Sequence, residues 1–270
     1  MLIMKIAILM SGRTDLFDRV VDLNHDNLIN VLNSAGHTVD MFGSFWEENT
    51  AEYCINAYID YWKVVDIETL TPYTSGVIKN FREHQELIGK YQHSQDNKVS
   101  NTLYWLYKLN RLFNIVKEYE LQNNMQYDCY IRMRPDVGLH RPFDPDHLNC
   151  LTDNNIITHV DHVVHIDGKI YGCGNGWIDD NFCIAKRNAF EVYCGVYDNI
   201  LSLCNDCQNC ISHIIFKRQF ELNNIKTLLP NSILVMPKRM PDGVFKYLYF
   251  EYVYDHFGCK YADYKIEKCV

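Results

Sequence analysis

Tyr127-Asp-Cys-Tyr-Ile-Arg-Met-Arg-Pro-Asp-Val-Gly-Leu139 is a buried strand that ends abruptly in charge. Tyr127, Cys129, Ile131 and Met133 alternate with Asp128, Tyr130, Arg132 and Arg134, which is strand periodicity. Pro135 has no N–H to give a sheet ladder, so the strand is predicted to stop there. Asp136 then stands just past its carboxyl end, the edge where ligands bind in open α/β sheets. Two arginines and an aspartate at such an edge can grip a phosphate together with a metal or a hydroxyl. The same three residues can instead form an ion pair that only closes a loop. Both readings stand at this point.

Toward the N-terminus, Met4–Met10 reads as a strand and Ser11-Gly12-Arg13 as a tight loop after it. Asp15–Ala35 carries Val20, Val21, Leu23, Leu28, Ile29, Val31 and Leu32 at helical spacing, with Gly36 placed as its cap. Thr38–Phe42 is a second strand. A strand-helix-strand unit favours parallel pairing through a right-handed crossover. The Ser11–Arg13 loop therefore lies at a carboxyl edge, where its N–H groups and Arg13 can receive a pyrophosphate; a plain turn is the alternative. The loop has neither the Gly-x-Gly-x-x-Gly spacing nor a P-loop, which removes support for dinucleotide and NTPase readings. Trp62–Ile67 reads as a short strand, Val77–Tyr91 as a helix and Gln92–Asn101 as a polar loop over the site. Val99–Gln122 is the strongest helix, capped by Ser100 or Asn101, with Leu103, Leu106, Leu109, Leu112, Phe113 and Val116 on its apolar face. Tyr104 and Lys108, four apart, share another face.

Toward the C-terminus, Ile156–Ile166 reads as one strand whose parity puts His159, Asp161 and His165 on one face. That is a metal grouping or an ordinary exposed face. Three glycines at Gly172, Gly174 and Gly176 make a loop, followed at once by Trp177, Asp179, Asp180 and an apolar strand Phe182–Ala185. An indole face packs on a sugar ring, and a carboxylate beside it binds a hydroxyl or takes its proton as general base. The structural alternative is an acidic turn beside a buried Trp. Asn188–Asn199 and Ile211–Asn223 read as helices and Leu228–Met236 as a strand. Cys204-x-x-Cys207-x-x-Cys210-x-x-His213 has the residue types of a zinc site. On one helix, however, those four side chains spread over roughly 13 Å of rise and cannot converge on one ion. No zinc is expected. The tail from Phe245 is rich in tyrosine and carries no motif.

The chain has 270 residues, 47% hydrophobic and 22% charged, which is ordinary globular usage. Its formal net charge of −8 argues against a general nucleic-acid binder, whose phosphate contacts need a basic surface. The apolar run Leu2–Met10 is too short to span a bilayer and has no small-residue cleavage site after it, so it reads as a core strand. Eleven scattered cysteines suggest free thiols in a reducing compartment, hence the cytoplasm.

Arg132-Met-Arg134-Pro135-Asp136, the long helix before it, Lys5–Gly12 and Gly176–Ala185 together resemble small GT-A-like glycosyltransferases. Such enzymes occur in surface-polysaccharide gene sets of bacteria and of large DNA viruses; a viral chain would work in the host cytoplasm. The resemblance runs, with gaps, from about Met4 to about Pro230. It implies one α/β domain with a mixed, mostly parallel sheet flanked by helices. Residues 1–136 would bind the nucleotide sugar and residues 137–270 the glycan acceptor, for hexosyl or pentosyl transfer. On the resemblance, Ser11, Gly12, Arg13, Tyr104, Lys108, Arg132 and Asp136 hold the donor, with Tyr107 and Arg111 as further candidates. Arg134 stabilises the leaving diphosphate, Trp177 receives the acceptor, and Asp179 or Asp180 is the base. Asp179-Asp180-Asn181-Phe182 looks like the family's acidic-aromatic segment, with Asn181 where Gln is usual. The family commonly holds Mn²⁺ or Mg²⁺ with Asp-x-Asp. Here Arg134-Pro135-Asp136 leaves one carboxylate, Asp136, as the metal candidate, which puts metal dependence in question. Two other readings are a catalytically silent glycan-binding protein and a compact GT-B enzyme. The latter is hinted at by Leu32-Asn-Ser-Ala-Gly-His-Thr-Val39, but two nucleotide-fold domains have little room in 270 residues.

Overall fold

The computed structural model describes residues 3–12, 14, 16–47, 50–68, 86–87, 89–91, 98–160, 163–166, 169–172, 178–210, 212–228, 234–239, 245–250, 254–255 and 258–259. The first strand, β1 (Lys5–Gly12), is an apolar run buried on both faces, as a central parallel strand must be. It continues past Met10, so Ser11 and Gly12 are the last strand residues and not a loop. The expected helix over Asp15–Ala35 is a composite arm. A 3₁₀ turn (Phe17–Arg19) leads to α1 (Val21–Asn24), a π-helical segment (His25–Ile29) and α2 (Asn30–Ser34). Its Asn-His-Asp-Asn centre is poor helix sequence. β2 (Thr38–Trp46) runs four residues beyond Phe42; α3 (Ala51–Ala57) and β3 (Trp62–Glu68) follow. The expected helix Val77–Tyr91 falls mostly outside the described residues.

α4 (Lys98–Gln122) leads into β4 (Cys129–Met133), whose five residues are all buried. Then come β5 (Gly138–Leu139), a 3₁₀ segment (Pro145–Cys150), β6 (Asn155–Val160), β7 (Val163–Ile166), β8 (Lys169–Gly172) and β9 (Ile178–Ala185). α5 (Arg187–Cys194), α6 (Ile200–Cys207) and α7 (Ser212–Leu222) precede β10 (Lys226–Leu228), β11 (Leu234–Arg239) and β12 (Phe245–Phe250).

The main sheet has seven strands in the order β10-β6-β9-β4-β1-β2-β3. β1, β2, β3 and β4 pair in parallel, as do β6 and β10, while β9 is antiparallel to both its neighbours. This is the mixed, mostly parallel α/β sheet the sequence implied. α4, α5 and α7 cover one face through Leu106, Leu109, Leu112, Phe190 and Phe216. The composite arm and α3 cover the other with Phe17, Leu28, Ile29, Leu32 and Cys54. β5, β11 and β12 form a second, antiparallel sheet. Among the described residues, no helix is long and apolar enough to cross a membrane.

Three expectations change. Ile156–Ile166 is not one strand: β6 belongs to the main sheet and β7 to a hairpin with β8, so the parity argument for His159, Asp161 and His165 lapses. Leu228–Met236 likewise divides between β10 and β11. Cys204 and Cys210 form a disulfide, so the cysteines are not all free thiols. α6 ends at Cys207 with Gln208 in a left-handed conformation, which ends the helical register before Cys210.

At the amino edge of the sheet, Glu120 at the end of α4 is a buried anchor. It accepts from the Tyr127 N–H (3.0 Å) and the Tyr130 hydroxyl (2.5 Å) and pairs with Arg187 of α5. Arg187 also donates to Tyr130 Oη (2.9 Å) and to Glu191 (2.8 Å). Burial, the Glu120 hydrogen bond and its charge hold the Tyr130 hydroxyl well above its ordinary pKa, so it stays a donor.

Candidate functional site at the carboxyl edge of the sheet

The chain lays β2 and β3 on one side of β1 and β4 on the other. Between β1 and β4 the strand order therefore reverses, and such a switch point opens a crevice at the carboxyl edge. Ser11 and Gly12 form one lip and Arg134-Pro135-Asp136 the other. Gly12 has φ +128°, a conformation that L side chains rarely adopt, and a Cβ there would stand 3.6 Å from the Pro135 ring. Its glycine is thus required by the backbone. Ser11 is fully buried and its hydroxyl has no hydrogen-bond partner among the described residues. Its carbonyl accepts from Arg132 Nη2 at 3.0 Å, which places the fully buried Arg132 beneath the crevice and not in it.

Arg134-Pro135-Asp136-Val137 is a turn closed by the Val137 N–H on the Arg134 carbonyl (3.2 Å), with proline in the position that turns favour. Within it Arg134 forks onto Asp136: Nε to Oδ1 at 2.9 Å and Nη2 to Oδ2 at 2.5 Å. Nη1 donates to Asn181 Oδ1 at 2.8 Å, and the Arg134 N–H to the Asn181 carbonyl at 3.1 Å. The Arg134 side chain is 35% exposed and that of Asp136 12%. The charge that reaches the edge is therefore the guanidinium, oriented by the carboxylate. The loop-closing ion pair and the ligand-facing arginine are here the same object.

β9 enters the sheet at this edge because it runs against β4. Phe182 pairs with Met133, so Asp179 and Asp180, a few residues earlier on β9, lie at the same edge as Arg134. They are strand residues; Ile178 already pairs with Val160. Arg13 and Trp177 lie outside the described residues, as do Gly174, Gly176 and Asp161.

Three of the α4 candidates, Lys108, Arg111 and Tyr107, are engaged with β2 and β3. Lys108 is fully buried. Its ammonium donates to Glu68 Oε2 (2.5 Å) and the Phe45 carbonyl (2.9 Å) and sits 4.2 Å from the centre of the Trp46 ring. Burial lowers its pKa against the opposing pull of Glu68 and Asp66. Arg111 forks onto Asp66 (2.7 and 2.9 Å), and Ser44 donates to Asp66 Oδ2 at 3.1 Å. Burial pushes the Asp66 carboxyl up, but the Arg111 hydrogen bond and the charges of Arg111 and Lys108 outweigh it, and its pKa is lowered. Tyr107 donates to Glu68 at 3.1 Å; burial and the Glu68 charge push its hydroxyl up to about 12. These charges satisfy one another and join α4 to β3. Lys108 is enclosed by these partners. Tyr104, half-buried, packs edge-on to Trp46 at 5.7 Å and is the α4 candidate nearest the edge.

A divalent cation at Asp136 does not fit these residues. Both carboxylate oxygens already carry the Arg134 fork, and a cation there would face a guanidinium. Among the described residues, no three His, Cys, Asp or Glu side chains group as metal ligands.

No protein-family model matches the chain, and no curated protein does. Solved structures similar to it include the apo form of WbbM, a bifunctional glycosyltransferase (9% identity, TM-score 0.41), of which the chain spans only 39% while 83% of the chain is covered. Mouse xyloside xylosyltransferase 1, apo form, is similar at 11% identity and TM-score 0.40, covering 83% of this chain and 84% of that one. A transferase with two cysteine-to-serine substitutions is similar at 11% identity and TM-score 0.35, covering 81% and 85%. At this distance the likenesses decide neither fold nor activity.

Sequence reasoning missed the Asn181 contact to Arg134 and the charge network Asp66–Glu68–Lys108–Arg111. Asp66 and Glu68, two apart on a strand, carried the one signal for the network: same-face acids need nearby cations when half buried.

Proposed function

We propose that the chain is a glycosyltransferase of GT-A type that moves a sugar from a nucleotide-diphosphate sugar to a glycan acceptor. The observation that carries this reading is the crevice at the switch point. There the glycine-shaped end of β1, with a buried Ser11 hydroxyl that has no partner among the described residues, meets the turn in which Asp136 and Asn181 hold Arg134 rigid. The donor diphosphate lies over these lips, with Tyr104 on its α4 side. Arg134 meets the negative charge that grows on the leaving diphosphate; fixing its direction in advance removes a reorganisation cost at the moment of reaction. Asp136 acts through Arg134. Asp179 or Asp180, delivered to the same edge by β9, activates the acceptor hydroxyl, and Trp177 offers it an apolar face. On this reading residues 1–136 bind the donor and residues 137–270 the acceptor; the first supply β1–β4 of the main sheet and the second β6, β9 and β10. The cytoplasm is the location proposed: six described cysteines are free and Cys150 among them is exposed, although the Cys204–Cys210 disulfide pulls the other way.

One observation favours a silent glycan-binding protein instead: Arg134 and Asp136 neutralise one another. The two-domain GT-B reading finds no support in the one large sheet of the described residues. Incubating the protein with a panel of nucleotide sugars and following release of the nucleoside diphosphate separates transferase from binder. Slow donor hydrolysis, quickened by a glycan acceptor, is expected. Glycan binding with no diphosphate released from any donor would favour the binder.

A further inference from the structure

We infer that Asn24, with Asn27, is a positioning residue for the Arg134–Asp136 turn, an inference that rests on the transferase reading of that turn. Asn24 is 1% exposed, yet it lies on a helical arm that the proposed chemistry does not use. Its amide behaves as a missing strand neighbour for β5. Nδ2 donates to the Val137 carbonyl (2.8 Å) while Oδ1 accepts from the Leu139 N–H (3.2 Å). Asn27 continues the ladder, donating to the Leu139 carbonyl at 2.7 Å. Its own carbonyl accepts from the Phe143 N–H at 2.7 Å. The opposite edge of β5 pairs with β11. Residue 137, held by Asn24, directly follows Asp136 and donates the bond that closes the turn.

Two further features show the arm seated on this strand. A Cβ on Gly138 would stand 3.0 Å from Val20 Cβ and 3.3 Å from Leu23 Cβ, so the arm rests directly on the β5 backbone. The arm turns π-helical immediately after Asn24, an irregularity frequent at functional sites. The same arm follows β1 in the chain. It therefore fixes the Arg134–Asp136 lip relative to the Ser11–Gly12 lip, and with it the width of the crevice.

Asn24→Ala and Asn27→Ala test this, with Asn30→Ala on the exposed side of the arm as control. Asn24→Ala is expected to lower turnover at least tenfold, with the donor Michaelis constant changed less than about twofold, because a shifted arginine stabilises the transition state and not the bound donor. Combined with Asp136→Asn it should add nothing, since both act through Arg134. Hydrogen exchange gives a readout independent of activity. In Asn24→Ala the amides of Leu139 and Val137 should exchange faster while those of β1 stay protected; Asn27→Ala should do the same more weakly, if the stronger variant does not fold. Faster exchange at Leu139 alone, or losses that multiply in the double variant, would overturn the positioning role. No turnover in wild-type protein together with faster Val137 exchange in Asn24→Ala would sink the transferase reading and leave the positioning intact.

Discussion

Asp136→Asn removes the carboxylate that aims Arg134 while leaving the volume unchanged. Two hydrogen bonds from a charged donor are at stake (2.9 and 2.5 Å), and asparagine can accept only with its one oxygen. Bonds to charged groups contribute about 1.5–3 kcal/mol each when buried. Arg134 is 35% exposed, so solvent screens much of that. A net destabilisation of about 1–2 kcal/mol follows, which for a chain of this size lowers the melting temperature by roughly 2–8 °C. The effect on turnover is larger, because an arginine that loses its fork no longer points at the developing charge. A misplacement of about 1 Å in a catalytic group costs on the order of 10²-fold, or ~2.7 kcal/mol of barrier. Thermal melting by circular dichroism and diphosphate release at saturating donor measure the two effects on one sample. The reasoning is refuted if turnover per folded molecule stays within about twofold of wild type, whatever the melting temperature does. Arg134 and Asp136 would then only close a loop.

Removing divalent ions with EDTA should leave transfer intact, since Arg134 occupies Asp136; loss of activity restored by Mn²⁺ or Mg²⁺ would show that a cation displaces the fork. Alanine at whichever of Asp179 and Asp180 is the base should abolish transfer to acceptor while calorimetric donor binding is kept; wild-type rates in both variants would move the acceptor site elsewhere. Glu120→Ala leaves the Tyr130 hydroxyl and the Tyr127 N–H without their acceptor and Arg187 with only Glu191 and the Tyr130 oxygen, and should cost about 3 kcal/mol, read by urea unfolding. Asp66 has a lowered pKa in the folded state, so its contribution is full above the ordinary carboxylate range and is lost as the pH falls through the lowered value. Stability measured against pH should lose part of its acid slope in Asp66→Asn; an unchanged slope would show that the network does not hold α4 to β3.

β4 was legible because strand alternation and a proline stop coincide within a few residues, and both are local. The long helix before it was legible for the same reason. The switch point was not, because strand order is a property of pairing partners far apart in sequence. β9 read as a strand from Phe182 onward; its start at Ile178 was hidden because Asp179 and Asp180 have the composition of a turn, and only pairing with β6 extends the strand through them. For Lys108, helix spacing gives a face but not what lies opposite it. Glu68 and Trp46, which enclose it, come from other elements. The composite arm shows the reverse: Asn24 and Asn27 weaken the local helix signal and are needed for a strand more than a hundred residues later.

The reversed strand at the sheet's centre has a consequence during synthesis. β4 ends at Met133, but its neighbour on the open side, β9, is complete only at Ala185, 52 residues later (185 − 133). At roughly 5–20 residues per second the ribosome needs about 3–10 s to supply it. For that interval a strand that is apolar but for Arg132 has a bare backbone edge, the kind that invites pairing with another nascent chain. Slowing translation between these points should raise aggregation more than the same pause placed after Ala185.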